Sequence, residues 1–148
     1  MKRFARPRWG VKARVSAVGV VATALVLGGA TAAHAEGNFK SYMTQVQPTF
    51  TSRSWEDKNR DGASTIVKLS NCKVNAGGKV PGSSKLKSIK VTLHYGGGKT
   101  KSLTQACGTY NYGRVSADNY NSFEITAING QTARGAKMFL NADVAVSY

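Results

Sequence analysis

A stretch of alternating side chains at residues 89–95 constrains the fold of this chain more than any other feature. Apolar side chains occupy every second position of IKVTLHY, and this period of two indicates a half-buried β-strand. Three glycines follow directly at 96–98 and predict a hairpin turn. Pairing Tyr95 with Lys99 gives the hairpin one polar outer face, made of Lys90, Thr92, His94, Thr100, Ser102 and Thr104.

Two later stretches show the same alternation. Towards the end of the chain the apolar positions are Met138, Leu140, Ala142, Val144, Val146 and Tyr148. Before them, SFEITAI at 122–128 places Phe123, Ile125 and Ala127 on one face, and Asn-Gly at 129–130 turns the chain. Both stretches therefore predict half-buried strands.

Weaker strand candidates lie at 65–71, beside Phe50 and Trp55, and at 110–115. No window of about 11 residues carries a helical apolar stripe bounded by caps. About seven short strands separated by turn signals predict an all-β protein, a small antiparallel β-sandwich. An immunoglobulin-like sandwich is the most populated form of this fold. Its hallmark is missing, because Trp55 precedes both cysteines instead of lying between them.

The first 35 residues have the three parts of a secretory signal peptide. Residues 1–14 carry six basic side chains and no acid, 15–27 are apolar, and small residues lead to Ala33-His34-Ala35. The apolar core of 13 residues is shorter than the roughly 20 that a retained membrane anchor needs. We expect cleavage after Ala35, which leaves one domain at 36–148 and no transmembrane segment.

The long basic start is similar to the signal peptides of Gram-positive bacteria. This resemblance implies export into the medium or the cell wall, so that the mature protein is secreted or wall-associated. An exported chain meets an oxidising environment, in which paired cysteines form disulfides.

Cys72 and Cys107 are the only cysteines, and both follow the signal peptide. An even count in an exported chain predicts one disulfide, which in the chain-entropy model contributes about 3 to 4 kcal/mol for a loop of this length. The domain needs such a cross-link because Leu, Ile, Val and Phe make up only 21 of its 113 residues.

Charge is the most informative feature for function. Removal of the signal peptide lowers the formal net charge from +14 to +8. The stretch from Gly62 to Ala117 holds nine basic residues and no acid. We interpret six of its eight lysines as a basic face for anionic partners: Lys79, Lys85, Lys87, Lys90, Lys99 and Lys101. The alternative is that the excess charge serves solubility alone.

Three tyrosines, Tyr110, Tyr112 and Tyr120, alternate with asparagines in a segment that resembles a contact surface. Exposed tyrosines beside amides stack on sugars or bases, so these three are possible aromatic contacts. Equally, they can cover the small core. The sequence leaves both interpretations open.

The motif DKNRDG places Asp57, Asn59 and Asp61 at alternate positions before a glycine, like the first half of a calcium loop. The twelfth position of such a loop needs a bidentate carboxylate but is occupied by Lys68. A polar turn explains the same residues. We therefore predict no metal site, no cofactor and no strong dependence on calcium.

Catalytic residues are not indicated. His94 is the only histidine after residue 35, and no spacing ties a nucleophile to it; a pairing with Glu124 as acid and base is conceivable.

The favoured hypothesis is a secreted, non-enzymatic protein that binds an extracellular polyanion such as a cell-wall polymer, with no specific nucleic acid partner. An alternative is an inhibitor or toxin-like protein that acts on an extracellular protein through the loop at 75–85. A small hydrolase is favoured only if His94 lies in a cleft with a carboxylate.

Overall fold

Nine β-strands form the fold of the residues that the computed structural model describes, namely 37–58, 60–77, 82, 84–115, 120–133, 135 and 137–148. In chain order they are β1 (Asn38–Val46), β2 (Phe50–Thr51), β3 (Trp55–Glu56), β4 (Ile66–Ala76), β5 (Ile89–Tyr95), β6 (Lys99–Gln105), β7 (Thr109–Asn111), β8 (Tyr120–Ile128) and β9 (Met138–Ser147). The expected signal peptide at 1–35, and Glu36 after it, lie outside the described residues.

The strands form two antiparallel sheets that pack face to face. One sheet has four strands in the order β1-β9-β4-β7. The other has five, in the order β2-β8-β5-β6, with β3 also paired to β8. The predicted all-β antiparallel sandwich is confirmed. The strand count exceeds the predicted seven partly because β2 and β3 have only two residues each, which is too short for a periodic signal.

The core lies between the two sheets and draws on both. Its largest fully buried side chains are Tyr110, Tyr112, Phe123, Leu69, Ile89, Leu93, Ile125, Ile128, Leu140, Val67, Val74 and Val91. The alternation predicted for β5 and β9 matches the buried faces of those strands. In β8 it holds for Phe123 and Ile125, but a bulge then places Ala127 opposite Lys90 and puts Ile128 in the core in its place. In the described part of the chain, no helix is long and apolar enough to cross a membrane.

The β5–β6 hairpin has the predicted register. Tyr95 pairs with Lys99, His94 with Thr100, and Val91 with Leu103. The turn between the strands needs glycine, because Gly97 and Gly98 adopt φ values of 70° and 81°, in the left-handed region that other residues rarely occupy.

Strand β1 was not predicted. Its inward-facing series includes Ser41 beside Phe39 and Met43, while Tyr42 points outward with 76% of its surface exposed. A bulge between Met43 and Val46 then breaks the period of two. The strand forms despite this weak pattern because its backbone hydrogen-bonds to β9, from Asn38 opposite Ser147 to Met43 opposite Ala142.

The predicted disulfide between Cys72 and Cys107 is present. It joins β4 to the segment between β6 and β7, where the amide of Leu69 also donates to the carbonyl of Gly108 at 2.8 Å. Cys107 is exposed and Cys72 half-buried, so the bond lies at the periphery of the sandwich. The disulfide of immunoglobulin domains instead links the two sheets inside the core.

Candidate functional site

The lysines of the acid-free stretch do not share one face. Lys90 lies opposite Thr104, on the polar outer face of the hairpin. Lys99 and Lys101 lie opposite Tyr95 and Leu93, and cross-strand partners project from the same side of a sheet. These two lysines therefore project from the side opposite to Lys90, and they are exposed there because β6 is an edge strand.

Lys85 and Lys87 lie just before β5, at the end of the hairpin remote from the glycine turn. The side chain of Asn129 holds this segment: its Oδ1 accepts from the amide of Lys87 at 2.6 Å, and its Nδ2 donates to the carbonyl of Lys85 at 2.9 Å. Both lysine side chains are exposed. Since β5 spans about 20 Å, the basic residues form two separated ends. Lys79 lies outside the described residues.

The lysines at the two ends are not neutralised by neighbours. No carboxylate of the described residues lies within 4.0 Å of the ammonium groups of Lys85, Lys87 or Lys99. Lys101 donates to the carbonyl of Tyr112 at 2.7 Å, a neutral partner that leaves its charge uncompensated. Both ends therefore present net positive charge to solvent.

Tyr110 and Tyr112 are core residues, which corrects their assignment as possible surface contacts. They are 0% and 1% exposed, and their hydroxyls reach carbonyls on the opposite sheet, that of Tyr112 donating to Val91 at 2.9 Å. Burial raises the pKa of both phenols far above the usual value of about 10. Of the three tyrosines only Tyr120 is available to a ligand, with 74% of its surface exposed.

His94 and Glu124 meet on the outer face of the five-stranded sheet. The imidazole Nε2 lies 2.9 Å from the carboxylate Oε2, and both side chains are partly exposed. The two residues are 30 positions apart, and pairing of β5 with β8 brings them together. In the part of the chain that the structure describes, no hydroxyl or thiol is hydrogen-bonded to the imidazole, so a nucleophilic triad is not assembled.

The described residues of the DKNRDG motif make polar contacts within the same segment. Asp57 is buried and its carboxylate accepts from the Thr65 hydroxyl at 3.3 Å. Asp61 accepts from the amide of Ala63 at 2.8 Å, and Gly62 has a φ of 69°. Asn59 lies outside the described residues. Among the residues that are described, no group of three or more His, Cys, Asp or Glu side chains could hold a metal ion.

The loop at 75–85 is anchored where the structure describes it. The amides of Gly82 and Ser84 both donate to the carbonyl of Val74, at 3.2 and 3.1 Å. Residues 78–81 and 83, at the centre of the loop, lie outside the described residues. The inhibitor hypothesis therefore stays a prediction from the sequence.

A hollow lined by aromatic and basic side chains was not predicted from the sequence. It has a volume of about 630 Å³ and is lined by Phe39, Trp55, Tyr148 and basic side chains including Arg53. The guanidinium of Arg53 stacks 3.9 Å from the centre of the Phe39 ring. The sequence offered no signal for this hollow, because Phe39 belongs to the unpredicted β1.

Comparison of the chain with family models, with curated proteins and with solved structures finds no match.

Proposed function

We propose that this chain is a secreted, non-enzymatic protein that binds extracellular polyanions such as anionic cell-wall polymers. One observation carries the proposal: the exposed lysines at both ends of the β5–β6 hairpin have no carboxylate partner among the described residues. Uncompensated charge of one sign attracts anionic partners and raises their rate of encounter.

The arrangement favours long anionic chains over single anions. Lys85 and Lys87 lie at one end of a hairpin about 20 Å long, and Lys99 and Lys101 lie near the other. An extended polymer can contact both ends at once, and the second contact is then intramolecular. Lysine acts as a point charge without the planar fork of arginine, so binding should depend on charge density and salt rather than on the exact anion.

The binding test reverses one charge at each end, in the variant Lys87→Glu/Lys99→Glu. Neither ammonium group has a carboxylate partner among the described residues, and the contact of Lys101 with Tyr112 stays intact. We expect the variant to elute from a heparin column at much lower salt than the wild type, because two attractive contacts become repulsive.

The matched control is Lys40→Glu/Lys137→Glu, which changes net charge equally at two exposed positions outside the acid-free stretch. It should shift elution only slightly. Equal losses in the two variants would mean that net charge alone matters, and the excess lysine would then serve solubility. Thermal unfolding of each variant verifies that the fold is retained.

Export is tested separately. The protein recovered from the culture medium or wall fraction should begin at Glu36, because small residues occupy the −3 and −1 positions before it. N-terminal sequencing measures this directly. An intact Met1 in a membrane fraction would instead indicate a retained anchor.

The contact between His94 and Glu124 favours a second candidate function, hydrolysis by general acid and base catalysis. The imidazole also borders a hollow of about 310 Å³ that includes Tyr120 and the glycine turn. A bound polymer that shortens with time in the presence of the wild type, but not of His94→Gln, would support this candidate. A polymer of unchanged length supports the binding protein.

A further inference from the structure

A second candidate site lies on the outer face of the four-stranded sheet, away from the β5–β6 hairpin. It is a groove of about 540 Å³ that crosses β1, β9 and β4. The side chains that line it are mainly polar: Tyr42, Thr44, Asn71, Lys73, Asn141 and Asp143.

Two β-bulges shape this groove. One interrupts β1 between Met43 and Val46, and the other interrupts β4 between Ser70 and Lys73. They flank the same segment of β9, and each contains a non-glycine residue in the left-handed region, Gln45 and Asn71, both with a φ of 53°. Bulges redirect side chains, and strained residues of this kind concentrate at binding sites.

Hydrogen bonds fix the polar groups around β9. Asn71 Nδ2 donates to Asp143 Oδ2 at 2.6 Å, and the amide of Gln45 donates to Asn141 Oδ1 at 3.1 Å. The Nδ2 group of Asn141 is buried and has no hydrogen-bond partner among the described residues. The groove therefore holds an oriented carboxylate and an amide donor whose capacity is unused.

Tyr42 completes the site with an aromatic surface. It pairs with Asp143 across the strands and is 76% exposed, so its ring is available to a ligand. A pyranose ring has one face of C–H groups, which packs on an aromatic ring, and a rim of hydroxyls, which hydrogen-bond to carboxylates and amides.

We propose that this groove binds a neutral pyranose unit of a polysaccharide. The ring of Tyr42 stacks on the sugar, Asp143 accepts from its hydroxyls, and the ammonium of Lys73 donates to a ring or hydroxyl oxygen. Asp143 and Lys73 carry one negative and one positive charge, so the two side chains together add no net charge that would select an anionic sugar here. The site is thus independent of the polyanion contacts proposed on the hairpin.

The test titrates ¹⁵N-labelled protein with chitohexaose, cellohexaose and laminarihexaose in 0.5 M NaCl, where electrostatic binding is suppressed. At least one of the three should shift the amides of Tyr42, Asn71 and Asn141 in a saturable way. Tyr42→Ala should weaken that binding about tenfold, since it removes the stacking surface, while Tyr42→Phe should retain most of it. Asp143→Asn should weaken it because an acceptor oxygen is lost.

Tyr120→Ala is the matched control, because Tyr120 is equally exposed but belongs to the other sheet. It should bind as the wild type does, and so should Lys87→Glu/Lys99→Glu. The proposal is overturned if none of the three oligosaccharides gives saturable shifts, or if Tyr120→Ala weakens binding as much as Tyr42→Ala. It is also overturned if an anionic oligosaccharide such as a heparin fragment shifts these three amides and none of the neutral ones does, which would assign this face to the polyanion function.

Discussion

Replacing Cys72 and Cys107 together by serine should lower the free energy of unfolding by about 2 to 5 kcal/mol. The bond closes a loop of 35 residues that contains the whole β5–β6 hairpin. It also anchors the start of β7, which has only three residues in register with β4 and carries the buried Tyr110. Loss of the cross-link increases the entropy of the unfolded chain and weakens the attachment of this short strand.

Urea denaturation of the wild type and the double variant measures the effect. Reduction of the wild type should reproduce the loss, whereas a reductant should leave the double variant unchanged. The native wild type should contain no free thiol, since both cysteines are paired. A difference below about 1 kcal/mol between the two proteins would contradict the expected contribution.

Stability should also fall steeply above about pH 10. Burial holds Tyr110 and Tyr112 protonated in the folded protein, whereas the same phenols ionise near pH 10 once the chain unfolds. A pKa that is raised in the folded state gives stability that is complete below pH 10 and is lost as the pH increases. Between pH 9 and 11 the free energy of unfolding should therefore decrease by about 1.4 kcal/mol in total for each phenol, and by about 2.7 kcal/mol for both.

The measurement is a series of urea denaturation curves between pH 9 and 11. Tyr112→Phe removes one of the two ionising groups and should show about half the slope with pH. At neutral pH this variant should be about 1 kcal/mol less stable, because the hydrogen bond to Val91 is lost. Tyr120→Phe, at an exposed position, should keep the full slope. An unchanged slope in Tyr112→Phe would show that its phenol ionises freely in the folded state.

Local patterns in the sequence were sufficient for part of this structure. The register of the β5–β6 hairpin follows from the alternation of seven residues and three glycines, because a slip by one position would turn every apolar side chain outward. The disulfide follows from the two cysteines of the chain together with the predicted export. The separation of Lys90 from Lys99 and Lys101 is also implied by that register, since cross-strand partners share a side of the sheet.

The tertiary structure decided the features that depend on distant partners. Tyr110 and Tyr112 can be buried because their hydroxyls donate to carbonyls of β5 on the opposite sheet. No residue pattern near position 110 predicts that β5 lies over these two side chains. His94 and Glu124, and likewise Tyr42 and Asp143, come together through strand pairing across 30 and 101 positions of sequence. Side-chain periodicity reports which face of a strand is apolar. It does not report which strand lies alongside, because that choice is made by the packing of the whole sandwich.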